Sequence, residues 1–166
     1  MADAKELAAY VDEWLARAAK GAGRSQPTKL LEEGIRALWR RTDVTLGEVT
    51  LTAIADRVLT NSAERFPFLG AVTAQTCSEE RVWNAVHERA AQTDREEVYR
   101  GVRYVLTEFL TVIDNLTGGI LTPALRNELE SLRRDAAADV AHTVDSPAEP
   151  RPRRRTKRRK RKQGIR

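Results

Sequence analysis

Apolar residues recur at intervals of three and four along most of this chain. Leu7, Tyr10, Val11, Trp14, Leu15 and Ala18 share one face of a helix, which Gly21-Ala22-Gly23 ends. Ser25 ahead of Pro27 is a helix-start signal, and Leu30, Leu31, Ile35, Leu38 and Trp39 form a second apolar face. Gly34 inside it either weakens the helix or admits a close neighbour. Thr45-x-x-Glu48 has the form of a capping box and opens a third helix through Val49, Leu51, Ile54, Ala55, Val58 and Leu59. Phe66-Pro67 breaks that run, because the residue before a proline is pushed out of the α region.

Two further capping boxes follow. Thr76-x-x-Glu79 opens a helix through Val82, Trp83, Val86 and Ala90. Thr93-x-x-Glu96 opens the longest stripe: Val98, Val102, Val105, Leu106, Phe109, Ile113 and Leu116, closed by Gly118-Gly119. That stripe suits either a central helix or half of a dimer interface. Thr122-Pro123 is a cap with proline at the first helical position, and Leu125, Leu129, Leu132 and Ala136 carry a sixth helix to about residue 144. No strand-like alternation and no repeat is visible. The pattern predicts an all-α protein: a single helical domain of about six helices over residues 1–145, then a disordered basic tail over 146–166.

Charge sharpens that boundary. Residues 147–166 read PAEPRPRRRTKRRKRKQGIR and hold 11 of the 29 Lys/Arg but one of the 24 Asp/Glu. That stretch is therefore +10 and the remainder −5. So little apolar content cannot offset the entropy of ordering, which predicts a mobile arm. Arg151, Arg153, Arg154, Arg155, Lys157, Arg158, Arg159, Lys160, Arg161 and Lys162 are the candidate phosphate contacts. The arm has no Phe, Tyr or Trp, so stacking on unpaired bases is open only to its arginine planes. Nucleic acid gripped by its backbone, without sequence choice and with duplex DNA first, is the expected partner; RNA, another polyanion or an acidic partner stays open, as does an arm that only keeps the protein soluble or folds back on the acidic body. An anionic membrane also attracts such a cluster, at about 1 kcal/mol per basic residue, but the arm has no apolar face to insert.

One cysteine, Cys77, excludes an internal disulfide and suits a reducing cytoplasm. Residues 1–20 are charged throughout and lack the apolar centre of a secretory signal. Residues 102–121, the most apolar segment, are interrupted by Arg103, Glu108 and Asp114, so no membrane span is expected. Residue usage, rich in Ala, Arg, Leu and Val, suggests a bacterium with a GC-rich genome.

Little here points to catalysis or to a cofactor. His87 and His142 lack metal-ligand spacing and read as a partly exposed helix histidine and a helix C-terminal one. Cys77 sits beside a helix start, which can lower a thiol pKa, but no partner base accompanies it. Glu108 and Asp114 read as the solvent side of the long helix or as partners of Arg103. Trp14, Trp39 and Trp83 each lie on or beside an apolar stripe and read as core. No catalytic residue, cofactor or metal is assigned.

KLLEEGIRALWRR and then DVTLGEVTLTAIADRVLTNSAERFPFL, within residues 29–70, resemble the N-terminal part of tetracycline-repressor-like (TetR-like) regulators. The matching residues are Leu30, Leu31, Leu38, Val49, Thr50, Leu51, the run Ile54-Ala55-Asp56-Arg57, and Phe66-Pro67. The resemblance implies a helix-turn-helix whose recognition helix enters the major groove. By position Thr60, Asn61, Ser62 and Arg65 would face that groove. The segment from Val58 to Arg65 is about three residues shorter than the family uses for turn plus recognition helix and lacks its turn glycine. Asp43, Glu48, Asp56 and Glu64 also oppose Arg57 and Arg65 there, an unfavourable field for DNA. Arg24, Lys29, Arg36, Arg40 and Arg41 could add phosphate contacts if they share a face.

Two functions fit. One is a non-enzymatic nucleic-acid-binding protein, a divergent transcriptional regulator whose basic tail grips phosphates. The other is a helical signalling or assembly adaptor, whose acidic body binds a protein partner or a second copy while the tail tethers it to a polyanion.

Overall fold

A computed structural model describes residues 3–21 and 27–144 and, within them, all side chains but those of 19–21, 133 and 135–144. Six α-helices form there: α1 (Ala4–Gly21), α2 (Pro27–Leu46), α3 (Glu48–Arg65), α4 (Glu80–Ala91), α5 (Arg95–Thr117) and α6 (Thr122–Val144). A short 3-10 turn, Pro67–Leu69, follows α3. There is no strand among the described residues, so the chain is all-α. None of the described helices is long and apolar enough to cross a membrane. The arm at 146–166, Arg24, and the side chains of Ala136 and His142 lie outside what is described.

Helix α5 is the centre of the bundle. Val98, Val102, Val105, Leu106, Phe109, Leu110 and Ile113 are all buried, and α1, α2, α3 and α6 all pack on it. Leu116 ends the stripe in solvent, 59% exposed. The helix begins one residue later than the capping box suggests. Asp94, not Thr93, is the N-cap, and its Oδ1 accepts from Glu96 N at 2.9 Å and Glu97 N at 3.3 Å. A carboxylate outcompetes a hydroxyl here because it both fills orphan donors and opposes the helix dipole. Thr93 instead donates back to Arg89 O. At the other end Gly118 and Gly119 take positive φ of 59° and 83°, and Gly119 N donates to Asp114 O. This is the glycine-dependent stop anticipated from the sequence.

The other two capping boxes do not form. Thr45 lies in the last turn of α2, and Gly47 alone separates α2 from α3 at φ 76°. Its N–H donates to Asp43 O, and its carbonyl accepts from Leu51 N. The glycine's access to positive φ sets the corner, so no hydroxyl cap is needed. Thr76 belongs to a turn, where its hydroxyl accepts from Thr73 N at 3.1 Å. α4 starts after it, at Glu80, without a side-chain cap on Glu79.

Asp114 departs most from the sequence reading. It is 1% exposed, and its Oδ1 accepts a hydrogen bond from the Thr122 hydroxyl, tying the end of α5 to the start of α6. Arg103 pairs instead with Asp12 on α1, through Nε and, at 3.0 Å, through Nη2. Helical spacing placed Asp114 on the α5 cylinder but could not show that α6 would fold back over it. Trp14 and Trp83 are core, as their stripes imply. Their indoles donate to Leu129 O and Cys77 O, each at 2.7 Å, so burial leaves neither N–H unpaired.

Two glycines face the core differently. A Cβ on Gly101 would lie 2.7 Å from Phe68 Cζ and 3.2 Å from Phe66 Cγ. A Cβ on Gly34 would meet only the tips of Leu106 and Leu129, at 3.3 and 3.5 Å. Alanine gains about 1 kcal/mol of helix propensity over glycine, whereas overpacking costs about 1–3 kcal/mol. Gly101→Ala should therefore lower stability in urea denaturation, by about 1–2 kcal/mol. Gly34→Ala should leave it unchanged or raise it by up to about 1 kcal/mol. A stabilising Gly101→Ala would mean that Phe68 does not press on α5.

Candidate functional site

The residues singled out on α3 share one unbroken helix. Residues 48–65 are α3 throughout, so the turn that a helix-turn-helix requires is not present between Arg57 and Phe66. Thr60 and Asn61 are exposed, but Ser62 is fully buried and its hydroxyl donates to Val58 O at 2.6 Å. Ser62 therefore cannot face a groove. Arg65 is exposed at the helix end, with its guanidinium 4.9 Å from the centre of the Tyr104 ring.

The Ile54-Ala55-Asp56-Arg57 run has structural work instead. Ile54 and Ala55 are buried in the core. Asp56 accepts from Ala74 N and from Gln75 Nε2, both at 3.3 Å, and so pins the connection between the 3-10 turn and α4 against α3. Arg57 points to solvent.

That pinned connection forms one wall of a groove of about 730 Å³, with α2, α3 and Leu132 of α6 as the others. Buried Ile35, Ala74 and Cys77 and half-buried Trp39 give it an apolar floor. Trp39 packs against the core and also lines this surface, half-buried, whereas the other two tryptophans are fully buried. Arg36, Arg40, Glu33 and Glu48 put both signs of charge around the edge. Arg36 and Arg40 share a face at i, i+4. Arg36 is already held by Glu32 at 2.8 Å, whereas Arg40 has no ion pair among the described residues. The groove's volume falls within the range of about 300–1,000 Å³ typical of small-molecule pockets. The period of α2 gave its residues, but the contribution of 71–78 depended on Asp56 and had no local signal.

Behind the groove Glu32 also takes His87. The ring's Nε2 lies 3.1 Å from Glu32 Oε2 and its Nδ1 2.8 Å from Thr28 Oγ1. A neutral ring with its proton on Nε2 donates to the carboxylate and accepts from the hydroxyl. Hydroxyl, imidazole and carboxylate in series have the connectivity of a nucleophilic triad. Thr28, however, is 1% exposed, so no substrate can reach its oxygen. The series holds α4 on α2. No group of three or more His, Cys, Asp or Glu suited to a metal occurs among the described residues.

No protein family, curated protein or solved structure matches this chain.

Cys77 tests whether the groove floor opens. Its S–H donates to Ala74 O at 3.2 Å, and burial pushes the thiol above its ordinary range, outweighing a smaller downward pull from its own backbone N–H. The nearby helix start does not activate it. The fold therefore favours the protonated thiol. Stability should be fully present below the ordinary thiol pKa of about 8.5 and should fall as pH rises above it. Cys77→Ala should remove that alkaline component of the decline. Thiol labelling at pH 8 should be slow in the native protein and fast in urea. Rapid native labelling would show that the floor is open to reagents.

Proposed function

We propose that this protein is a non-enzymatic nucleic-acid-binding protein of the cytoplasm, with the basic segment at 147–166 as its phosphate-binding element and duplex DNA as its target. One observation carries the reading: the +10 charge of twenty residues set against the −5 of the rest. Lysine and arginine displace condensed counterions from phosphates, which gives affinity without sequence choice. The acidic remainder repels the same polyanion, so contact falls to the arm.

The four α3 candidates for groove contact add little to this reading. Ser62 is closed to solvent, Arg65 is engaged with Tyr104, and of the four Thr60 and Asn61 present free polar groups. A role in regulating transcription would therefore draw its specificity from a partner rather than from base readout by α3.

Deleting residues 147–166 should remove most duplex binding at low salt while leaving the thermal transition of the body nearly unchanged. In the full chain, log affinity should fall steeply with log salt, with a slope of up to about −9 for ten phosphate contacts. Fluorescence anisotropy with a labelled duplex checks both. Retained binding with a shallow salt dependence in the truncated chain would place the site on the helical body and overturn the assignment.

A further inference from the structure

Two of the four large apolar side chains exposed among the described residues lie beside the groove; the other two, Leu116 and Ile120, are at the α5–α6 connection. Val44 and Val49 are 87% and 86% exposed and flank the Gly47 corner. Val44 lies one turn beyond Arg40 on α2, and Val49 adjoins Glu48 and precedes Thr52 by three residues on α3. Arg40, Glu48 and Thr52 all line the groove. The two valines do not line the groove themselves but stand at the α2–α3 corner, next in the helices to residues that do.

The charges around this surface choose between occupants. Arg40 and Glu48 are both exposed, and neither has a hydrogen bond or ion pair among the described residues. A uniformly basic or acidic partner would satisfy one and repel the other. A surface bearing both signs beside an apolar strip is complementary to itself under a two-fold axis.

We propose that a second copy of this chain occupies the groove. The corner carrying Val44 and Val49 of each copy enters the groove of the other, and Arg40 of each faces Glu48 of its partner. Nothing in this pairing depends on the arm or its target. Its consequence for binding is that two basic arms act from one particle, and the second engages at a high effective concentration.

The test is the molar mass of the full-length, nuclease-treated protein by light scattering, at concentrations up to about 100 µM, where even modest interfaces fill. The wild type should approach the mass of two chains. Arg40→Glu alone and Glu48→Arg alone should each weaken the dimer by about tenfold or more, because like charges then meet across the axis. The double variant R40E/E48R should restore it, since the pair is only reversed. Val49→Asp should give one chain. All three positions changed here are exposed, and an unaltered thermal transition would confirm folding. A wild type that stays at one chain overturns the proposal. So does a dimer indifferent to these substitutions, or a double variant that fails to re-form it.

Discussion

Everything else in this fold depends on burying α5 from several sides at once. A stripe from Val98 to Ile113 with no exposed apolar side chain demands neighbours on more than one face, and α1, α2, α3 and α6 supply them. Close approach is the limiting condition. Gly101 lets Phe68 lie against the backbone of α5, which fixes where the chain passes after α3. With that point fixed, Asp56 can reach Ala74 and Gln75, and the connection to α4 becomes a wall of the groove. The candidate binding surface is therefore a consequence of how the central helix is covered.

The helices and their order were legible because amphipathic period is a local property. Each apolar face fixes its own helix, and Gly118-Gly119 and Phe66-Pro67 mark ends through backbone geometry that any context respects. Caps were less legible. Three Thr-x-x-Glu patterns read alike, yet one gives way to a neighbouring aspartate, one to a glycine corner and one to a turn. The choice among hydroxyl, carboxylate and glycine is decided by chain direction after the helix, which no four-residue window contains. Asp114 and Ser62 show the same limit. Both are polar residues on helices, and both are buried because a distant element folds across them or because a hydroxyl can bond its own helix at i−4.

The run that carries the family resemblance illustrates how a motif can be real in its residues yet serve packing. Ile54 and Ala55 fill the core, and Asp56 secures a turn eighteen residues away. These are roles that any helix of this pattern can play in a bundle. A reader helix, by contrast, must leave its polar face free and end a short turn after its partner, and α3 continues straight through that point. Function on this chain is better sought where groups are left without partners inside the fold.

Those groups divide by location. The body pairs several of its charges internally, Asp12 with Arg103 and Glu32 with Arg36, and Glu32 also takes a hydrogen bond with His87. Unpaired charges are spread over its surface, and Arg40 and Glu48 place both signs near the α2–α3 corner, while residues 147–166 add a large excess of one sign. Opposite signs at short range recognise a matching surface, because each must be met in place. A like-signed excess recognises only charge density, and salt screens it over about 8–10 Å. On the proposed readings one chain carries two kinds of attraction with different requirements. Raising ionic strength should then separate them in order, loosening the arm from a polyanion well before it loosens an interface whose apolar part salt does not screen.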